Sequence, residues 1–186
     1  LKLISGFPPP LNYSESPYGV GYSKGSVAGL TEGELPEEAE LGPYQLVTFT
    51  DYDAGMAYAK AENKPVLIDF TGKACVNCRK MEERVWGEPQ ILGKLQNDVV
   101  LISLFVDLKE ELPEAEQYVS KVTGKRIQTV GNKWSDFQIE KYQINAQPYY
   151  VLLDHNEDEL NTPVGYTPDV DEFEAWLEDG ISKFND

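Results

Sequence analysis

Apolar and polar positions along this chain follow two rhythms that take turns from Tyr44 onward. Gln45 to Phe49 is a short apolar run of strand type. Thr50 or Asp51 can then cap a helix whose residues Tyr52, Met56 and Ala59 share one face, running to Asn63. Val66 to Phe70 is apolar apart from Asp69, the pattern of a central strand covered on both faces. Met81, Val85 and Trp86 recur at helical spacing until Pro89 interrupts, and Ile91, Leu92 and Leu95 resume it. A broken helix follows, because proline lacks the donor and its ring clashes with the preceding turn. Val99 to Val106, β-branched and aromatic without a breaker, is the strongest strand pattern in the chain.

The rhythm loosens over residues 108 to 133. A helical fragment is expected from Pro113 to Val122, then a polar stretch, Thr123 to Lys133, of loop or hairpin type. Ser135 and Asp136 can open a short helix through Ile139 and Tyr142. Tyr149 to Leu153 and Glu159 to Gly165 read as strands joined across the turn-rich His155, Asn156, Glu157 and Asp158, with Pro163 making the second an edge strand. At the end, Thr167 caps a helix, Pro168 takes its first position, and Phe173, Trp176, Leu177 and Ile181 form a buried stripe. The order β-α-β-α-β-insert-α-β-β-α predicts an α/β sandwich around a mixed sheet.

Composition supports one core and narrows the partners. A chain of 186 residues, 41% hydrophobic and 26% charged, buries a single sizeable core. With 16 basic and 32 acidic residues the net charge is −16, which repels nucleic acid and anionic lipid. The longest apolar run has eight positions, against about 20 needed to cross a bilayer, so a soluble piece is expected. It begins at Leu1 and opens without a signal peptide, and it reads as part of a longer protein. Residues 1–45 hold six acids, two lysines, six prolines and seven glycines without periodicity, which marks a linker or wrapping arm whose Phe7, Tyr13, Tyr18 and Tyr22 can dock on a surface. The domain is then expected over 46–186. Its middle, 46–153, is nearly neutral with 15 acids and 13 bases, while 154–186 holds 11 acids and Lys183.

Two cysteines are too few to staple a fold, so their placement carries the information. Cys75 and Cys78 directly follow a central strand and open a helix, where backbone N–H groups and the helix dipole favour an anion. A thiolate is such an anion, and a second thiol one turn along can close a disulfide with it. Lys73, Arg79 and Lys80 add positive charge nearby. Structural zinc needs four ligands, and the chain offers two thiols and the distant His155. A copper site, a zinc bridged between two chains, and a pair of inert structural thiols remain open on this reading.

Lys64-Pro65-Val66-Leu67-Ile68-Asp69-Phe70, followed by Cys75-Val76-Asn77-Cys78-Arg79-Lys80-Met81-Glu82, resembles the active-site segment of thioredoxin-like proteins. More narrowly, it resembles the C-terminal periplasmic domain of the DsbD thiol:disulfide interchange family, in its Bacteroidetes form. Asn145-Ala146-Gln147-Pro148-Tyr149-Tyr150-Val151-Leu152-Leu153-Asp154 is similar to that family's cis-proline and following strand, so the resemblance covers about residues 45–186. It implies a thioredoxin-like fold with an N-terminal arm and an insertion after the third strand. Cys75 would be the nucleophile and Cys78 the resolving thiol, with no cofactor beyond the redox-active Cys75–Cys78 disulfide and no resident metal. Asp69 and Glu82 would be acids that raise the cysteine pKa. Gln147, Pro148, Ala74, Val76 and Asn77 would line the client groove, with the Gln147–Pro148 bond cis. Ala74 stands where the family usually has tryptophan, and residues 108–133 exceed a minimal domain. The resemblance further implies a monomeric domain on the periplasmic face of the inner membrane, reduced by a membrane-embedded domain of the same parent protein and reducing periplasmic thioredoxin-like clients, among them isomerases and cytochrome c maturation factors.

Overall fold

The computed structural model describes residues 35–186, so the arm positions Phe7, Tyr13, Tyr18 and Tyr22 lie outside the described residues. Seven strands are found among those residues: β1 (Ala39–Leu41), β2 (Val47–Phe49), β3 (Val66–Thr71), β4 (Val100–Phe105), β5 (Tyr118–Val119), β6 (Arg126–Ile127) and β7 (Tyr149–Leu153). The helices are α1 (Tyr52–Glu62), α2 (Val76–Met81), α3 (Pro89–Asn97), α4 (Val130–Tyr142) and α5 (Val170–Asn185), with a π-helical turn at Glu82–Trp86 joining α2 towards α3.

Five strands form one mixed sheet in the order β1-β2-β4-β3-β7. The parallel pairs β2–β4 and β3–β4 lie at its centre, and β1 and β7 run antiparallel at the edges. Every residue of β3 and β4 is buried, as two covered faces require. Met81, Val85, Trp86, Ile91, Leu95, Phe173 and Leu177, from α2, the π turn, α3 and α5, cover one face. Tyr52, Met56, Ala59 and Trp134, from α1 and α4, cover the other. The result is a three-layer α/β sandwich, as expected from the alternating rhythms.

Close approach of α1 to the sheet explains Gly55: a Cβ there would lie 2.4 Å from the Ile102 side chain on β4. Gly131, in the first turn of α4, sits so close to the chain leaving β4 that a Cβ would meet the Leu108 backbone at 2.6 Å. Asp51 caps α1, its side chain accepting from the Ala54 amide at 3.1 Å.

Several boundaries differ from the sequence reading. Residues 39–45, assigned by composition to the arm, belong to the sheet edge through β1 and a 3₁₀ turn at Pro43–Gln45. No helix forms over Pro113–Val122; a short 3₁₀ turn at Glu114–Glu116 leads into the β5–β6 hairpin. Long-range pairing wins there over the weak helical spacing. Helix α4 starts at Val130 rather than Ser135, because the Thr129 hydroxyl caps the Asn132 amide at 3.1 Å. The expected edge strand over 159–165 reduces to isolated bridges from Glu159 and Val164 to β7, with Pro163 between them unable to donate. Asp169, not Thr167, caps α5 through the Glu172 amide, so Pro168 precedes the helix instead of opening it.

Candidate redox site

Strand β3 ends at Thr71, and the chain turns through Gly72, Lys73 and Ala74 into Cys75, the N-cap of α2. Cys75 and Cys78 are joined by a disulfide, with Cα atoms 5.3 Å apart and the Cys75 Sγ accepting from the Cys78 amide at 3.2 Å. Cys75 is half-buried whereas Cys78 is 2% exposed. An incoming reactant therefore meets the first sulfur. Ala74, Val76 and Asn77 are exposed around it, and Val76 alone leaves 48% of its surface open.

The turn before Cys75 is held by a residue that the sequence reading did not single out. Asp107, just past β4, accepts from the Lys73 amide at 2.8 Å and the Ala74 amide at 2.9 Å with its two carboxylate oxygens. Gly72 lies against the same carboxylate, a Cβ there falling 3.0 Å from it. Two consecutive amides at a strand end need acceptors, and the parallel neighbour β4 delivers one to the right place. Its only sequence signal was an acid immediately after the strongest strand. Lys73 is exposed, and its ammonium lies 3.9 Å from the centre of the Phe105 ring.

A polar row lies on the face of the sheet that α2 and the π turn cover. Asp69 on β3 is flanked in register by Ser103 on β4 and Tyr150 on β7, all three buried. Asp69 Oδ1 has no hydrogen-bond partner, and Oδ2 receives a long contact from the Ser103 hydroxyl at 3.4 Å. Burial, reinforced by the nearby Glu82, pushes the Asp69 carboxyl well above the usual carboxylate range, against the opposing pull of Arg79 and the Ser103 hydroxyl. The Tyr150 phenol is likewise pushed up by burial and then by the charges of Asp69 and Glu82.

Glu82 is 2% exposed and pairs with Arg79 at 2.9 Å, and Arg79 also donates to the Thr71 hydroxyl at 3.2 Å. Arg79 thus points into the interior and joins the buried acids, so its charge near the cysteines is shared with Glu82. The Tyr44 hydroxyl donates to the Glu82 backbone carbonyl at 2.9 Å, a carbonyl at the start of the π turn. That turn widens the helical ladder by one residue.

Pro148 is buried and the Gln147–Pro148 bond is cis. Because Tyr149 pairs with Phe70, Pro148 stands opposite the end of β3, at the sheet edge from which the Cys75 turn departs. The Gln147 side chain turns away towards α4, donating to Gln138 at 2.9 Å and Asn145 at 3.1 Å. Asp69, Glu82, the two cysteines and Pro148 therefore gather at one end of the sheet although they span some eighty positions of sequence. No cluster of three or more His, Cys, Asp or Glu side chains arranged to hold a metal occurs among the described residues.

Comparison with known proteins agrees with this geometry. A family profile described as thioredoxin-like domain matches residues 52–181. A segment of 46 residues is 44% identical to thiol:disulfide interchange protein DsbD 2 of Pseudomonas aeruginosa, covering 25% of this chain and 8% of that protein. A 50-residue segment is 44% identical to thiol:disulfide interchange protein DsbD of Pseudomonas fluorescens, covering 27% of this chain and 8% of that protein. These matches thus span a small fraction of the relatives' length. Among solved structures, DsbH oxidoreductase superposes with a TM-score of 0.50 at 17% identity, over 85% of this chain and 94% of that one, a likeness of fold.

Proposed function

The chain belongs to the thioredoxin-like domain family, and on that footing we propose that it is a dithiol–disulfide relay domain of the DsbD type. The observation that carries the reading is the asymmetric Cys75–Cys78 disulfide at the strand-to-helix junction, with one sulfur accessible and the other buried. The 44% identity of short segments to two interchange proteins supports it.

In the reduced state the Cys75 thiolate attacks one sulfur of a client disulfide. A mixed disulfide forms and one client thiolate leaves. The Cys78 thiolate then attacks the Cys75 sulfur, which releases the second client thiolate and closes the Cys75–Cys78 bond. Two electrons pass to the client, which takes up two protons, and a donor dithiol must reset the domain. The reading assigns that donor to a membrane-embedded domain of the same parent protein, on the periplasmic side, and the clients to periplasmic protein disulfides. No helix among the described residues is long and apolar enough to cross a membrane.

The buried acids suit such a role. Negative charge on Asp69 or Glu82 would oppose a thiolate at the nearby cysteine pair by like-charge repulsion, which holds the thiol back until a docked client changes the surroundings. The test is a thiol count with a trapping experiment. A mild dithiol reductant should expose two reversible thiols, and Cys78→Ser should accumulate a mixed disulfide with a protein disulfide. Thiols that neither re-form a disulfide nor pass electrons would refute the reading.

A further inference from the structure

Residues 117–135 carry Lys121, Lys125, Arg126 and Lys133 and no acid, in a chain whose net charge is −16. The β5–β6 hairpin lies within this stretch. Its tip is built rather than loose. The Ser120 hydroxyl, on a residue only 3% exposed, accepts from the Val122 amide at 3.2 Å and the Thr123 amide at 2.9 Å. The Ser120 amide donates to the Lys125 carbonyl at 2.8 Å, and Gly124, at φ +70°, donates to the Ser120 carbonyl at 3.0 Å.

This ordered tip presents apolar side chains to solvent. Val119 is 62% exposed and Val122 55%, while Ile127 on the inner side is buried. Lys121, Lys125 and Arg126 surround the two valines and are exposed, and none of them forms an ion pair among the described residues. Lys133 is set apart by its contact with Asp51 at 4.0 Å.

The hairpin is continuous with the redox site. Its ladder begins at Leu108, next to the Asp107 that holds the Cys75 turn, with the Gly131 amide donating to Leu108 at 3.0 Å and the Leu112 amide to Gln128 at 2.8 Å. The Tyr118 hydroxyl then ties β5 to Asp136 of α4 at 2.8 Å. From Gly131 to the tip at Gly124 an extended chain spans at most ~23 Å. A protein partner covering ~800 Å², a patch ~30 Å across, is wide enough to bridge such a span.

We propose that the 117–126 hairpin is a docking element for clients with an acidic surface, which it seats beside the disulfide. The inference rests on the relay reading above and names the chemistry of its partner. Elsewhere the chain is acidic, so an acidic client is repelled from the other faces and attracted here. With a screening length of ~8 Å at physiological ionic strength, that attraction acts on client charges close to contact, and the valines supply the apolar anchor. Disulfide exchange under the relay reading requires a protein at this site, which favours a protein partner over a bilayer.

The test uses the reduced protein and disulfide-bonded peptides that differ only in a flanking segment of about twelve residues, enough to span the distance, made of glutamates, glutamines or lysines. The glutamate peptide should be reduced on the order of tenfold faster than the glutamine one at low salt, with the lysine peptide slowest and the differences collapsing at high salt. The triple variant Lys121→Glu, Lys125→Glu, Arg126→Glu should lose or reverse this order while reducing bis(2-hydroxyethyl) disulfide at the unchanged rate. Val119→Ser with Val122→Ser should slow the glutamate peptide several-fold and keep its salt dependence. The same order persisting in the triple variant, no order in the unmodified protein, or hairpin-dependent binding to phosphatidylglycerol vesicles would overturn the proposal. Failure to reduce even the small disulfide would instead refute the relay reading.

Discussion

Asp107 offers the sharpest test of how the site is held. Its carboxylate accepts two consecutive amides, at 2.8 and 2.9 Å, on the exposed turn before Cys75. Hydrogen bonds to a charged acceptor are each worth roughly 1.5–3 kcal/mol when buried. Here water can replace the acceptor, so Asp107→Ala should cost about 1–2 kcal/mol in total. With a urea slope of about 2 kcal/mol per molar, the unfolding midpoint should fall by ~0.5–1 M. Asp107→Asn removes the charge and keeps one of the two acceptors, because its amide nitrogen cannot accept. By covalent geometry the carboxylate lies about 7 Å from the Cys75 sulfur. At an effective dielectric of ~40–80 a negative charge there opposes the thiolate by ~0.6–1.2 kcal/mol, roughly half to nearly one pKa unit. In the reduced protein at low salt, the alkylation profile of Cys75 against pH should therefore move down by about that amount in Asp107→Asn. An unchanged midpoint in the alanine variant together with a superimposable profile in the asparagine variant would refute the assignment of Asp107 as the residue that positions the turn.

Further expectations follow from the same geometry. In the Cys78→Ser variant, mixed disulfides should form through Cys75, since Cys78 is 2% exposed; mass mapping of a trapped client onto position 78 in the Cys75→Ser variant would reverse the roles. Asp69 binds its proton more tightly folded than unfolded, so its contribution to stability is fullest below the unfolded value and declines as pH rises through the folded one. Asp69→Asn should accordingly gain stability over the unmodified protein as the pH of a urea titration increases, and an equal difference at acid and alkaline pH would contradict this. Glu157 behaves oppositely: hydrogen bonds from Lys141 and then Tyr52 hold its carboxyl below the usual range, so its support is present above an unfolded pKa of about 4.3 and lost as pH falls through the folded value. Because both ends are exposed in part, Lys141→Met should cost no more than about 1 kcal/mol at pH 7 and less at pH 3 by thermal unfolding. Gly55→Ala should destabilise by about 1–3 kcal/mol, because the new methyl collides with Ile102; an unchanged melting temperature would show that α1 can shift.

Much of the fold was legible because it rests on local periodicity. The continuous apolar runs of β3 and β4, the broken helix at Pro89 and the stripe of α5 each follow from side-chain spacing that a single segment must satisfy to be buried. The cysteine pair after β3 was likewise readable, since a strand end and a helix start are both local events. The tertiary structure decided what depends on distant partners. Residues 39–45 have a linker's composition and become a sheet edge only because β2 offers unpaired backbone groups to β1. The weak helical spacing of 113–122 yields to pairing of Tyr118 and Val119 with Ile127 and Arg126, which no local pattern announces. Arg79 reads as one of three cations near the cysteines until Glu82 and Thr71 close around it, and Asp107 reads as one acid among 32 until β4 carries it to the Cys75 turn. Spacing along the chain reports which face a residue turns inward, whereas the partner found there depends on how the sheet brings distant strands into register.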